Sequence, residues 1–197
     1  LGKIYFALID IENYMKSCPY TLSAKIAGSA RRMQETIGDI DLLVTCKDGD
    51  RNKIISYFKN LPQLEKIEAE GDTKVSGRLI TGTQIDLRIV KNSEFGAALQ
   101  YFTGSKEHNV KLRTIAKTKG YKINEYGIYK LSDRKKIGGK TEEEIYNSLD
   151  LQFIPAELRQ GQMEVEIAST QNIPELIELS DIKGDLHMHS TYSDGIN

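Results

Sequence analysis

Apolar residues recur about once per helical turn at the start of the chain. Ile4, Leu8, Ile11 and Met15 fall within IYFALIDIENYMKS (4–17), which predicts a helix stopped by Pro19. The period then shortens. Residues 24–27 (AKIA) read as a short buried strand ended by a turn at Gly28-Ser29, and Asp39–Cys46 (DIDLLVTC) as a second strand broken at Asp48-Gly49-Asp50. Helical spacing returns over 52–61, up to Pro62. Runs rich in Val, Ile and Thr follow at 65–69, 74–80 and 83–90, and the turn pairs Gly71-Asp72 and Thr81-Gly82 between them predict neighbouring, largely antiparallel strands. Beyond Val90 the pattern predicts helices over 95–102 and 106–119, the second capped by Ser105 and closed by Gly120. Short strands over 121–124 and 126–131 come next. Thr141 then opens a helix with Glu142, Glu143 and Glu144 in its first turn, where the dipole favours negative charge.

With 197 residues, 39% hydrophobic and 28% charged, the chain holds one or two compact domains and is neither collagen-like, mucin-like nor disordered. The apolar stretch 4–9 is too short for a membrane span or a signal core, so a soluble protein without a membrane partner is expected. Cys18 and Cys46 form neither a disulfide framework nor a zinc spacing, which fits a cytoplasmic setting. The chain opens on Leu1 and stops inside a motif at Asn197, as a segment of a longer protein would. Its net charge of −1 hides an asymmetry. Residues 102–140 carry +8 and residues 141–197 carry −10. The basic block, which includes Lys106, Lys111 and Arg113, would attract a polyanion.

The chemistry concentrates in Gly28-Ser29 and Gly38-Asp39-Ile40-Asp41. On a strand, residues two apart share a face, so Asp39 and Asp41 present paired carboxylates while Ile40, Leu42 and Val44 point into the core. Such a pair repels itself unless a cation intervenes, and magnesium takes hard oxygen ligands that phosphate can complete. Asp86, flanked by Ile85 and Leu87 in another strand, would bring a third carboxylate if the strands are neighbours. That set suits two metals in in-line phosphoryl transfer. Gly28 lets backbone amides approach a phosphate, Ser29 adds a hydroxyl donor, and Arg31 and Arg32 follow to neutralise a triphosphate.

The stretch GSARRMQETIGDID resembles the Gly-Ser…Gly-Asp-x-Asp signature of nucleotidyltransferases, in the form found in family X DNA polymerases (the DNA polymerase beta type). QIDLR, YFTGSKEHNVKLR and INEY continue the likeness in order, over about residues 24–160. The resemblance implies that Asp39 and Asp41 ligate both of two magnesium or manganese ions, and that Asp86 ligates the one beside the primer 3′-hydroxyl. It implies triphosphate contacts from Ser29, Arg32 and the Gly38 amide, and an open-state pairing of Arg88 with the second aspartate. Tyr101, Phe102 and Gly104 match the turn lying against the incoming sugar, with a cis peptide at Gly104–Ser105. Asn109 and Arg113 match minor-groove contacts to the incoming base and the template strand. Lys106 and Lys111 join Arg113 as DNA-binding residues, and Tyr126 belongs to the same closing subdomain. His108 is read as structural or as a DNA contact. Met33 stands where the beta-type pattern has a second glycine, and Lys106 where it has an acid.

DLHMHSTYSDG (185–195) places two histidines on one side of an extended segment and adds a carboxylate. It resembles the opening of the PHP phosphoesterase domain that follows the polymerase core in bacterial family X enzymes. His187, His189 and Asp194 would be an incomplete part of its zinc or manganese site, without phosphoesterase activity and on a mobile tail.

The expected architecture is therefore α+β: a nucleotidyltransferase-type palm (1–90) with a mixed sheet flanked by helices, and a small α/β subdomain (91–165) for the nascent base pair. A linker (166–184) and the start of a truncated PHP domain (185–197) complete it. The expected activity is DNA-templated addition of dNTPs to a primer, filling short gaps, by a monomer acting on gapped or primed DNA. The alternatives are a nucleotidyltransferase acting on RNA or a small molecule, and a non-catalytic DNA-binding module.

Overall fold

The computed structural model describes residues 2, 4–71, 73–184, 186, 189, 192 and 195. Helix α1 (Tyr5–Ser17) is followed by strand β1 (Thr21–Ile26), the one-turn helix α2 (Gly28–Arg31) and β2 (Asp39–Cys46). Then come α3 (Arg51–Lys59), β3 (Leu64–Glu70), β4 (Lys74–Leu79) and β5 (Gln84–Val90). The five strands form one sheet in the order β1-β2-β5-β4-β3. As the sequence pattern predicts, β3 and β4, and β4 and β5, are antiparallel neighbours. β5 then runs parallel to β2, which closes the mixed sheet.

One face of this sheet packs α1 and α3 over a dry aliphatic core. Ile40, Leu42 and Val44 of β2 meet Ile85 and Leu87 of β5, Ile11 and Met15 of α1, and Ile54 and Phe58 of α3, all buried. Each of these large side chains contributes about 1.5–3 kcal/mol by leaving water. The other face is covered by helix α4 (Phe95–Thr103), where Leu43 packs with Ala27, Ala98 and Leu99.

The second body starts with α4 (Phe95–Thr103) and α5 (Lys106–Thr118), continues through β6 (Tyr121–Asn124), β7 (Gly127–Lys130) and β8 (Lys136–Gly138), and adds α6 (Glu142–Ser148) and α7 (Glu164–Ser169). Strand β8 is invisible in the sequence pattern because its lysine-rich run has no alternation of apolar and polar positions. The core of this body gathers Leu112, Ile123, Ile128, Ile145, Tyr146 and Ile154. It also takes in Val165 and Ala168 of α7, with Ile173 against them, so the segment expected as a linker from 166 begins inside a buried helix. Gly96 is where α4 and α6 meet most closely: a Cβ there would lie 2.1 Å from the Thr141 carbonyl carbon. Among the described residues no helix is long and apolar enough to cross a membrane.

Candidate active site

The site forms at one end of the parallel pair. Register sets Asp41 beside Asp86 and Asp39 beside Gln84, so the three carboxylates share one edge of the sheet. Asp39 is exposed, Asp41 half-buried and Asp86 buried. Alternation explains the arrangement: Ile40, Leu42, Ile85 and Leu87 go to the core, and the aspartates are left on the other face. The peptide N–H of Ala27 donates to the Asp41 carbonyl (2.8 Å), which draws the start of α2 against this edge. Gly28 has φ +65°, and a Cβ there would stand 3.0 Å from Asp41 Oδ2. The expected Gly28-Ser29 turn is thus the first turn of α2, and only glycine fits both its conformation and its closeness to the carboxylate.

Each buried carboxylate already has a cation beside it. Arg88 Nε lies 3.6 Å from Asp41 Oδ1, the pairing that the resemblance implies for the open state, and its guanidinium covers the Phe102 ring at 4.1 Å. Lys74 Nζ lies 2.6 Å from Asp86 Oδ2, and Gln84 Nε2 donates to Asp86 Oδ1 at 3.1 Å. Burial pushes the Asp41 carboxyl above its ordinary range; Arg88 opposes this, and the like charges of Asp39 and Asp86 add to it. Burial pulls Asp86 the same way, but hydrogen bonds from Lys74, Ser76 and Gln84 win and hold it below the ordinary carboxylate range. Among the described residues no three carboxylate, histidine or cysteine groups come together as a metal site, and Lys74 and Arg88 are paired with two of these aspartates. The donor set nevertheless fits hard divalent cations: oxygen ligands only, mutually repelling, on adjacent strands, with side-chain ammonium and guanidinium groups standing in for positive charge.

An open cleft of about 400 Å³ runs from this edge to the second body. Ser29, Arg32, Asp39 and Asp41 line one wall; Tyr101, Phe102, Gly104, Lys106, Asn109 and Arg113 line the other. Gly38 lies at the exposed approach to β2, outside the lining. The Gly104–Ser105 peptide is cis. Arg32 donates through Nη1 to the Thr103 carbonyl, and its Nε is buried without a hydrogen-bond partner, which leaves a cationic donor unsatisfied at the cleft. Asn109 is held by two hydrogen bonds, accepting from Gln100 Nε2 (2.6 Å) and donating to the Tyr101 carbonyl (2.7 Å). Lys106 and Arg113 are exposed and form no salt bridge among the described residues.

Two cations expected at the site are elsewhere. Arg31, directly before Arg32 on one short turn, points away from the cleft, into a bidentate pair with Glu142 (2.9 and 2.6 Å). Successive helical residues diverge by about 100°, so Arg31 and Arg32 cannot serve one phosphate chain side by side. Lys111 lies on the opposite side of α5 from Asn109 and Arg113 and pairs with Glu166 of α7 (2.7 Å). The Thr141 cap is as expected, but Glu142 behind it is buried rather than solvated. It also accepts from Arg159 Nη1 (2.6 Å), a fully buried arginine whose carbonyl accepts from the Ser105 N–H (3.1 Å). His108 is fully buried too, with Nδ1 2.8 Å from Glu164 and Nε2 2.9 Å from the Tyr146 hydroxyl; it is structural. Sequence reasoning missed Lys74, Ser76, Thr103, Glu142 and Arg159. Only the position of Lys74 and Ser76 in the strand next to Asp86 could have pointed to any of them. At the other end of the chain, His187 and Asp194 lie outside the described residues, so the PHP-like set has no geometry here.

Known proteins are similar to this chain. A family model described as DNA polymerase beta thumb matches residues 98–160. The DNA polymerase/3′-5′ exonuclease PolX of Bacillus subtilis is 39% identical over 188 residues, covering 94% of this chain and 32% of that protein. DNA polymerase lambda of Rattus norvegicus is 29% identical over 155 residues, 64% of this chain and 26% of that protein. The crystal structure of Leishmania infantum polymerase beta in a ternary P/T complex has the same fold, with TM-score 0.66 and 24% identity over 81% of this chain and 75% of that one. The chain thus spans about a third of the length of the Bacillus relative. With the Gly-Ser turn, Asp39, Asp41 and the YFTGS turn lining one cleft, and Asp86 beside Asp41 on the next strand, the chain is similar to the family X DNA polymerases over nearly its whole length.

Proposed function

We propose that this chain carries a DNA-templated polymerase site that adds deoxynucleotides to a primer 3′-hydroxyl and releases pyrophosphate, in short-gap filling during repair. The observation behind this reading is the parallel register that sets Asp86 beside Asp41, which itself lines a cleft with Ser29, Arg32 and the Tyr101–Gly104 turn. Asp39, Asp41 and Asp86 would hold two magnesium or manganese ions, which supply charge neutralisation at the triphosphate and acidify the primer hydroxyl when bound. The chain's own groups do the positioning. The Ser29 hydroxyl, the Gly38 amide and the unsatisfied Arg32 guanidinium receive phosphate oxygens. Tyr101, Phe102 and Gly104 lie against the sugar, and Asn109, fixed by Gln100 and the Tyr101 carbonyl, meets the base edge. Arg113 and Lys106, on the rim, face duplex and template phosphates, with binding that weakens steeply as salt rises. Lys111 joins them only by releasing Glu166.

Asp86→Asn tests this directly in a single-nucleotide gap-filling assay with a separate dNTP-binding titration. Extension is expected to vanish while dNTP binding stays near wild type. Normal extension by the variant would overturn the assignment, and extension indifferent to the template base would move the chain to the non-templated nucleotidyltransferases.

A further inference from the structure

Asp86 differs from Asp39 and Asp41 in that both of its oxygens are engaged. It is 3% exposed; Oδ2 meets Lys74 Nζ at 2.6 Å, Oδ1 accepts from Gln84 Nε2 at 3.1 Å, and the Ser76 hydroxyl adds a further hydrogen bond. A buried carboxylate that stays ionised without a partner is strongly disfavoured, and in the empty site the partner on Asp86 is Lys74. Lys74 is built for that duty. It is the first residue of β4, just after the turn closed by the Gly71 N–H on the Lys74 carbonyl (2.9 Å), and it lies opposite Arg88 in the antiparallel ladder. Two cations therefore stand side by side behind the two aspartates, Arg88 toward Asp41 and Lys74 toward Asp86. They are not equally free to leave. Arg88 is pinned on its other side by the Phe102 ring, whereas the Lys74 side chain is 35% exposed at the strand's end and has water to swing into.

We propose that Lys74 is the resident counter-ion of Asp86, a positioning residue that must be displaced before a divalent cation can take that carboxylate. This rests on the polymerase-site reading of Asp86 and adds a residue to it. The ammonium and the cation compete for the same oxygen, Oδ2, so the ion pair lowers the affinity of the empty site for metal and keeps Asp86 ionised and oriented until metal arrives. The exchange changes no covalent bond: one N–H···O contact is given up for one metal–oxygen contact, and the ammonium returns to water. Gln84 and Ser76, being neutral, need not move.

The test is manganese binding by the free protein, without DNA or dNTP, followed by electron paramagnetic resonance of unbound Mn²⁺. Lys74→Met and Lys74→Gln are both measured, so that a folding defect in one does not decide the result. Each is expected to bind Mn²⁺ about tenfold more tightly than wild type at the Asp86-dependent site, on the order of one charge-assisted contact. Lys74→Arg should stay near wild type, because it retains the competing charge. In an Asp86→Asn background the gain should vanish, since the contested oxygen is gone. Unchanged or weaker binding in both neutral variants, or a gain that persists with Asp86→Asn, overturns the proposal while leaving the site reading intact. Absence of Mn²⁺ binding by wild type and both variants alike would overturn the site reading and the proposal with it.

Discussion

The molecule treats charge in two opposite ways. In the second body, each buried ionic group has a partner of opposite charge or a polar partner: Glu142 binds two arginines, Arg159 also donates to the Ile154 carbonyl (2.9 Å), and His108 sits between Tyr146 and Glu164. At the end of the parallel pair in the five-stranded sheet, three carboxylates stand on adjacent strands with a cation beside two of them, and Asp39 is left to solvent. The first arrangement is closed and holds the α2, α4 and α6 ends together. The second is short of positive charge and open to a cleft. An ionic network closed on itself stabilises a particular geometry, and one open to a cleft leaves a place for a ligand.

Substitutions on either side should separate activity from stability. The largest effect on activity is expected from Asp41→Asn. Gap filling measured in single turnover should fall by at least about 10²–10³-fold, the scale of losing one group that stabilises developing charge. Its thermal midpoint should hold or rise, because burial and like charges disfavour the Asp41 carboxylate in the folded protein. A drop in midpoint to match the activity would erase the contrast between the two regions.

Glu142→Ala should show the reverse. Removing the shared carboxylate leaves Arg31 and the fully buried Arg159 uncompensated, a loss of about 3–5 kcal/mol. The melting temperature should then fall by about 10 °C for a chain of this size. Residual activity at low temperature should follow the folded fraction. A stable but inactive variant would mean that the network takes part in the chemistry.

The smallest effect is on the pH dependence of unfolding. His108 is pushed below its ordinary range, chiefly by burial, so the neutral ring is favoured in the fold: Tyr146 O–H donates to Nε2 and Nδ1–H donates to Glu164. The unfolded chain takes up a proton at this position below about pH 6.5, so stability is present above that pH and is lost as pH falls through it. Glu164 is pulled down to about 2, against burial, by the hydrogen bonds from His108 and the Gly161 N–H. Its contribution persists above about pH 4.5 and fades as pH drops toward 2. Denaturant titrations between pH 7 and pH 5 should lose about 1 kcal/mol in wild type, and His108→Phe should flatten that part of the curve. An equal slope in the variant would place the acid sensitivity elsewhere.

Most of the element order was legible because local rules govern it. β2 runs over the residues its alternation marks, Ser105 and Thr141 cap the helices they precede, and β3, β4 and β5 are the antiparallel neighbours the sequence pattern predicts. The triad and the YFTGS turn were legible as motifs, since the residue types carry the chemistry. Lys74 and Glu142 were not. A lysine opening a strand and a glutamate in a helix's first turn are ordinary surface residues until long-range packing assigns them partners. The same limit applies to Arg31 and Lys111, whose directions depend on where α2 and α5 dock.

The order of residues alone therefore determined which segments fold and which side chains bear chemistry, because hydrogen bonding, capping and alternation act over a few positions. Tertiary structure alone decided that β5 inserts beside β2, that Asp86 arrives next to Asp41 with a lysine upon it, and that Glu142 disappears between two arginines. These are contacts between residues from about a dozen to more than a hundred positions apart. Only burial of the two aliphatic cores brings them together, and the electrostatics of the site follow from that packing.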